Sequence, residues 1–187
     1  MRQHCRIPGT YDDTLLTHYV RCASEYLFQF YRVCIVDSKL LWRTDFPFGS
    51  VIWLPAFPVR EVLQIQYVDA TKQIRALPST DYEFLVNSVP PFISSRRTGM
   101  LVDTHSSLGA RYTFWPETDL TTPLAVSITM QAGWPAQELV NAAVQQAVLL
   151  LVCYMYEQRV AAVQNPPAEI EHGVRALLVN YSLLLED

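Results

Sequence analysis

The run from Gly133 to Arg159 constrains the fold more than any other part of this chain. A β-like run, Leu124 to Gln131, leads directly into it. Pro135 suits the first turn of a helix, where its missing N–H costs nothing, and Glu138 places negative charge near the positive helix end. Apolar residues then recur at spacings of three and four: Val140, Val144, Ala147, Leu151 and Met155. The pattern predicts a long helix with one wide buried face.

A second helical pattern lies near the N-terminus. Pro8-Gly9 indicates a turn, and Thr10 or Asp12 could cap a helix that runs from about Asp12 to Tyr31. Its apolar stripe is rich in aromatic residues: Leu15, Tyr19, Cys22, Tyr26 and Phe30. We expect this helix to pack against the later one.

Between the helices, β-branched and aromatic residues with frequent prolines replace the helical spacing. The predicted strands are Cys34 to Arg43, Val51 to Leu54, Val62 to Val68, Tyr82 to Val86, Met100 to Val102, Ala110 to Phe114 and Ala125 to Met130. Asp69 to Lys72 is a plausible hairpin turn. Prolines cannot donate ladder hydrogen bonds, so we expect a small, irregular antiparallel β domain.

After Arg159 the helix is expected to continue to Asn165-Pro166-Pro167, where the prolines force a joint. A helical arm should follow. The predicted class is therefore α+β, with long helices at both ends forming a helical core. The predicted segments are 1–32 (N-terminal helical), 33–131 (β-rich insertion), 132–164 (long core helix) and 165–187 (C-terminal helical arm).

Composition excludes several classes. Of 187 residues, 50% are hydrophobic and 17% charged, which argues against disorder and favours apolar surface hidden by partners. The net charge of −4 argues against a chain that grips phosphates. The cysteines Cys5, Cys22, Cys34 and Cys153 are scattered, so we expect buried thiols, a reducing compartment and no zinc site. The apolar stretch 147–156 is about half the roughly 20 residues of a membrane helix.

No catalytic constellation emerges from the sequence. The histidines are isolated, and Asp103-Thr104-His105-Ser106 reads as a polar loop, since adjacent side chains point in different directions. Phosphate-cradling glycine motifs and the nucleophile-elbow motif are absent from the sequence. We therefore assign no catalytic residue, no metal and no cofactor.

Several segments taken in order carry a family resemblance: Tyr11 to Leu16, Glu25 to Tyr31, Trp53 to Val59 leading into Val62 to Asp69, Asp81-Tyr82, Val126 to Trp134, Ala147 to Leu151, Tyr156 to Arg159, and His172 to Leu178. With these segments the chain resembles the head-to-tail connector proteins of tailed bacteriophages, also called adaptor or head-completion proteins. The match spans nearly the whole sequence. Members commonly have a further short helix at the N-terminus, of which Met1 to Arg6 would be the remainder.

The resemblance implies a mechanical role. Such proteins are made in the host cytoplasm and assemble in the virion neck as a ring, usually of twelve copies, under the portal protein. The ring extends the channel for double-stranded DNA, without sequence-specific binding, and docks the stopper or tail-completion protein. Alternatives are another neck component, which would be β-rich throughout, or a small phage-encoded enzyme with a pocket of convergent polar groups.

The arm is the candidate for portal docking, and folding back onto its own core is the alternative. Its candidate residues are Asn165, Pro166, Pro167, Ile170, Val174, Leu177, Leu178 and Tyr181. The intersubunit candidates are Trp115, Arg159, Arg96 and Arg97. Trp115 could equally lie in the core, and the arginine pair could be solvated loop charges.

Overall fold

The computed structural model describes residues 4, 5, 7, 9–46, 49–86, 88–97, 100–102, 111–119, 121–158 and 168–179. The chain divides into two compact units. A helical unit comprises Met1–Val36 and Trp134–Asp187, and a β unit comprises Asp37–Gly133. The predicted α+β class is confirmed, since the described residues form three α-helices together with antiparallel sheets.

The first helix, α1, spans Asp13–Tyr31, within one residue of the prediction. It buries Leu16, Ala23, Leu27 and Tyr31, and it ends at Arg32, whose left-handed backbone (φ 56°) lets its N–H reach the last carbonyls. Asp12 precedes the helix but makes no side-chain capping bond. Its carboxylate instead accepts a 2.6 Å hydrogen bond from the Tyr156 hydroxyl.

The second helix, α2, spans Ala142–Gln158, so its predicted start at residues 132–135 was wrong. Gly133 takes a φ of +93°, and a separate 3-10 turn covers Gln137–Leu139. The helix begins only where the Asn141 side chain accepts the Ala143 N–H at 2.9 Å, a capping bond. Val140 therefore lies outside the helix that its spacing suggested.

The third helix, α3, spans Ala168–Leu177, and the predicted continuation of α2 through residues 159–164 lies outside the described residues. Both α1 and α3 pack against α2. Between Ala142 and Tyr156, α2 carries no charged residue, as expected of a helix covered on several sides. At Gly173 of α3, an added Cβ would lie 3.8 Å from Leu150 Cδ1, which shows how closely the two helices approach.

Cys5 and Cys153 form a disulfide with a Cα–Cα distance of 5.3 Å, so the expectation of buried thiols was wrong for this pair. The two residues are 148 positions apart, and no local pattern links them. Half-buried Cys22 and buried Cys34 are not in a disulfide, and the Cys34 thiol donates a 3.3 Å hydrogen bond to the Val36 carbonyl.

The described residues of the β unit form nine strands: β1 Ser38–Thr44, β2 Val51–Trp53, β3 Val59–Val68, β4 Ile74–Ala76, β5 Tyr82–Leu85, β6 Phe92–Ser95, β7 Met100–Val102, β8 Arg111–Thr113 and β9 Val126–Ala132. They form a four-stranded sheet in the order β1-β9-β3-β4, a three-stranded sheet in the order β2-β6-β5 and the pair β7-β8. All of these pairings are antiparallel. The sequence missed β4 and β6 and placed the start of β1 at Cys34 instead of Ser38.

The four-stranded sheet has one buried face. Alternate residues of β9 from Val126 to Ala132 are buried, and Val59 and Ile65 of β3 join them. The outer face of β9 carries Ser127, Thr129 and Gln131, which pair in register with outward residues of β1. Among the described residues, no helix is long and apolar enough to cross a membrane.

Candidate assembly surfaces

The arm predicted to dock the portal packs against its own helical unit. Val174 and Leu178 are completely buried, and Ile170 and Leu177 are half-buried. Val174 and Leu178 are therefore not accessible for docking in this structure. The packing of α3 corresponds to the alternative prediction, in which the arm folds back onto its own core. The other docking candidates, Asn165, Pro166, Pro167 and Tyr181, lie outside the described residues.

The α3 helix also affects two tyrosines of α1. Burial raises the pKa of Tyr31, with a further contribution from the Glu171 carboxylate. Burial likewise raises the pKa of Tyr26, and Tyr31 and Glu171 add to it. Tyr26 also lies against Phe30, with ring centroids 4.5 Å apart, so the C-terminal end of α1 is an aromatic cluster.

Trp115 is a core residue of the β unit, and its alternative assignment to a subunit contact was wrong. It is 3% exposed, and its indole Nε1–H donates a 2.8 Å hydrogen bond to the Gly49 carbonyl. The Phe46 ring stacks on it, with centroids 5.1 Å apart and ring planes 6° from parallel. Phe46 and Gly49 lie more than sixty residues earlier in the sequence, which is why the polar flanks of Trp115 suggested exposure.

The candidate arginines are exposed. The Arg96 guanidinium lies 3.6 Å from the Glu83 carboxylate, in an ion pair whose side chains are each more than half exposed. Arg97 is also exposed, and its backbone N–H donates to Ser95 Oγ. Such exposed pairs contribute little to stability. Arg159 lies outside the described residues.

Two charged networks close loops of the β unit. The Asp37 carboxylate accepts hydrogen bonds from Gln131 and Arg60, and these bonds lower its pKa. Asp69 Oδ1 accepts the Thr71 hydroxyl and the N–H groups of Thr71 and Gln73, while Arg75 Nε lies 2.6 Å from Oδ2. The Thr71 hydroxyl, then Arg75 and the backbone bonds, hold the pKa of Asp69 far below its usual range.

The Asp69 network confirms the predicted hairpin turn. Residues Asp69 to Lys72 connect β3 to β4, and Lys72 adopts a left-handed conformation with φ 63°. Nearby Asp119 is buried and accepts hydrogen bonds from Thr121 and Thr122, which lower its pKa. The carboxylates of Asp37, Asp69 and Asp119 therefore have a structural role, since each accepts hydrogen bonds from neighbouring residues of the β unit.

Several large apolar side chains are exposed although no local sequence pattern marks them as surface residues. Tyr11 is 98% exposed, Leu41 61% and Trp53 55%. The Trp53 ring meets Phe92 of β6 edge-on, with centroids 5.0 Å apart. Exposure depends on the tertiary neighbours of each side chain, so local sequence patterns gave no signal for it.

Within the described part of the chain, no three His, Cys, Asp or Glu side chains are grouped to hold a metal ion. His18 Nε2 lies 3.6 Å from Cys22 Sγ on α1, and the described residues supply no third side chain that could complete a metal site there. The polar loop Asp103 to Ser106 lies outside the described residues.

The sequence matches no protein-family model and no curated protein. Its fold matches chains in solved structures of gene transfer agent (GTA) particles. One chain, from the neck of an empty GTA particle computed with C6 symmetry, is 22% identical with a TM-score of 0.67, over 96% of this chain and 85% of that chain.

A chain from the neck of a native GTA particle, computed with C12 symmetry, is 22% identical with a TM-score of 0.61, over 89% of this chain and 81% of that chain. A third, from the virion of a native GTA particle, is 23% identical with a TM-score of 0.67, over 96% of this chain and 85% of that one. These matches show a shared fold along nearly the whole chain, in agreement with the resemblance carried by the sequence.

Proposed function

We propose that this chain is a structural subunit of the head-to-tail connector in a tailed bacteriophage or a phage-like particle. The observation that carries the proposal is the fold, which matches a chain of a GTA neck over 96% of this chain. The order of sequence segments points independently to the same family. On this proposal the protein resides in the virion neck, is made in the host cytoplasm and catalyses no reaction.

The subunits form a ring, for which we propose twelve copies because one neck with this fold was computed with C12 symmetry. A closed ring joins two different surfaces of each subunit, in head-to-tail contacts. The ring lies under the portal and extends the DNA channel. The net charge of −4 suits a wall along which double-stranded DNA passes without tight phosphate contacts.

The connector docks the portal on one side and the stopper or tail-completion protein on the other. The C-terminal arm remains our proposed portal contact. Because Val174 of α3 and Leu178, which directly follows the helix, are buried, the contact must use the outward side of α3 or the docking candidates outside the described residues. A different neck component is the second candidate, because the matched structures are described only as necks or virions. Helices in both terminal regions favour the connector.

Particles produced without this chain test the proposal. We expect DNA-filled heads and complete tails that fail to join, seen by electron microscopy, because the connector lies between them. Supplying the wild-type chain should restore joined particles. Normal joined particles without the chain would contradict the proposal, whereas empty heads with no packaged DNA would indicate an earlier role in assembly.

A further inference from the structure

The disulfide between Cys5 and Cys153 ties the N-terminal end of the chain to α2. The two Cα atoms lie 5.3 Å apart, within the range that a disulfide requires. Ile7, two residues after Cys5, is buried, so packing holds this end of the chain in addition to the covalent bond. We call Cys5 and Ile7 together the N-terminal latch.

An exposed turn joins the N-terminal latch to α1. Residues 9 to 11 are exposed, and Gly9 has a left-handed backbone with φ +77°, which suits glycine. An added Cβ at Gly9 would meet no heavy atom within 4 Å. Beyond the turn, Asp12 accepts its 2.6 Å hydrogen bond from the Tyr156 hydroxyl of α2. Opening of the disulfide therefore frees the latch to move while α1 stays attached to α2.

The disulfide is within reach of small thiols. Cys5 and Cys153 are both half-buried, and thiol–disulfide exchange requires that an attacking thiolate reach one of the two sulfur atoms. On the proposed function the chain is made in the host cytoplasm, where glutathione and thioredoxin keep accessible thiols reduced. The same pair meets oxidising surroundings after the particle leaves the cell. The two compartments therefore favour two different forms of this pair.

We propose that Cys5 and Cys153 control the N-terminal latch by their redox state. The latch is open, as a dithiol, while the connector assembles in the cell, and closed, as a disulfide, in the released particle. This inference rests on the proposed function.

The closing step uses a low-molecular-weight disulfide, such as glutathione disulfide, as the oxidant. One cysteine thiolate attacks it, which forms a mixed disulfide and releases one glutathione. The second thiolate attacks the protein sulfur of the mixed disulfide and releases the second glutathione. The two thiol protons pass to the two glutathione thiolates, so two protein thiols are oxidised and one glutathione disulfide is reduced.

The closed latch should stabilise the released connector. The bonded cysteines are 148 positions apart, and a cross-link that closes so long a loop restricts the unfolded chain strongly. The bond also joins the N-terminal end to α2, the helix against which both α1 and α3 pack. Oxidation therefore reinforces the helical unit as a whole, after the subunits have joined.

Redox titration of the purified chain is the first test. The chain is equilibrated in glutathione buffers, quenched with acid, unfolded and labelled with a maleimide, and the labels are counted and mapped by mass spectrometry. We expect four labelled cysteines where reduced glutathione is in large excess, and only Cys22 and Cys34 labelled in an oxidising buffer. A disulfide that persists in the reducing buffer, or never forms in the oxidising one, would overturn the inference.

Hydrogen exchange then tests whether the N-terminal latch opens. Reduction should raise the amide exchange rate of the peptide that contains Cys5 and Ile7 about tenfold or more, because the covalent tie to α2 is gone. The peptide that covers α3 should keep its exchange rate. Equal exchange of the N-terminal peptide in both redox forms would show a bond without a latch, and would also overturn the inference.

Particles that carry Cys5→Ser or Cys153→Ser test the timing. We expect wild-type yields of joined particles, because the wild-type pair is reduced in the cell as well. After release, heated variant particles should lose their tails about tenfold faster or more, since they lack the cross-link. The matched control, Cys22→Ser, makes the same change at another half-buried cysteine and should behave as wild type.

The outcomes separate this inference from the proposed function. Wild-type heat resistance in both latch variants would overturn the latch and leave the connector role intact. Loss of joined particles in both variants would show that the bond is needed before release, which also overturns the proposed timing. Normal joining in particles that lack the chain altogether would reject the connector role instead, whatever the redox titration of the purified chain shows.

Discussion

Asp69 shows how one side chain can define a turn. Its carboxylate accepts hydrogen bonds from two backbone N–H groups and from the Thr71 hydroxyl, and it pairs with Arg75 across the hairpin. All of these contacts favour the charged form, which is why the folded protein lowers the pKa of Asp69. The turn at Asp69 was predictable from the sequence because Asp and Thr side chains in turns form hydrogen bonds with nearby backbone groups.

We predict that the stability of the protein falls as the pH falls below about 4, in part through Asp69. A carboxylate with a lowered folded pKa stabilises the protein above its unfolded pKa of about 3.9, and this contribution is lost as the pH falls toward the folded pKa. Asp69→Asn should therefore lower the denaturation midpoint at pH 7 and reduce the loss between pH 5 and pH 2. Urea titrations at several pH values measure this. Glu61→Gln, an exposed change on the same sheet, should keep the wild-type pH dependence; an unchanged profile in Asp69→Asn would refute the prediction.

Trp115 illustrates a residue whose role the sequence could not decide. Its covering partners, Phe46 and Gly49, come from a distant segment, so only the folded chain reveals its burial. Polar neighbours in sequence made exposure equally plausible.

Truncating Trp115 should destabilise the isolated chain. We expect Trp115→Ala to cost about 3–5 kcal/mol, because it leaves a cavity in the β unit. Trp115→Phe should cost less, since it keeps the ring and loses the hydrogen bond to Gly49. Chemical denaturation of the isolated chain measures both. An interface residue would leave this free energy of unfolding nearly unchanged, and that result would contradict the core assignment.

At the scale of secondary-structure elements, the sequence predicted the bounds of an element most accurately where apolar spacing and boundary residues agree. α1 was predicted within one residue because its apolar spacing and its polar boundary agree. The start of α2 was missed because Pro135 and Glu138 resemble a helix start, although the capping bond comes from Asn141. β4 was missed because it has three exposed residues and no buried face. The apolar spacing of α3 predicted a helix but did not determine whether that helix packs against α2 or extends as a docking arm.

The packing of α3 gives a matched pair of variants. Leu178 is completely buried, whereas the adjacent Val179 is 56% exposed. We expect Leu178→Ala to lower the free energy of unfolding by about 2–5 kcal/mol, and Val179→Ala to change it by no more than about 0.5 kcal/mol. Denaturant titration of both variants measures the difference. Equal small effects would mean that the arm leaves its helical unit in solution.

At the scale of the whole molecule, the sequence predicted the fold class and the family resemblance, and the structural matches agree with both at the level of fold. The surfaces used in assembly were harder to predict. Of the contact residues predicted from the sequence, Trp115, Val174 and Leu178 are buried, whereas Tyr11 and Leu41, which no local pattern marks as contact residues, are exposed. Interfaces depend on what the folded chain leaves exposed, and a single sequence does not contain that information in a local pattern.

The connector role is tested most directly by electron microscopy of the purified protein mixed with portal rings from the same virus. We predict that the isolated chain is monomeric or weakly associating, and that it forms a ring of twelve copies on one end of each portal. Portals that remain bare at every salt concentration, with a chain that is folded and stable, would contradict the connector assignment.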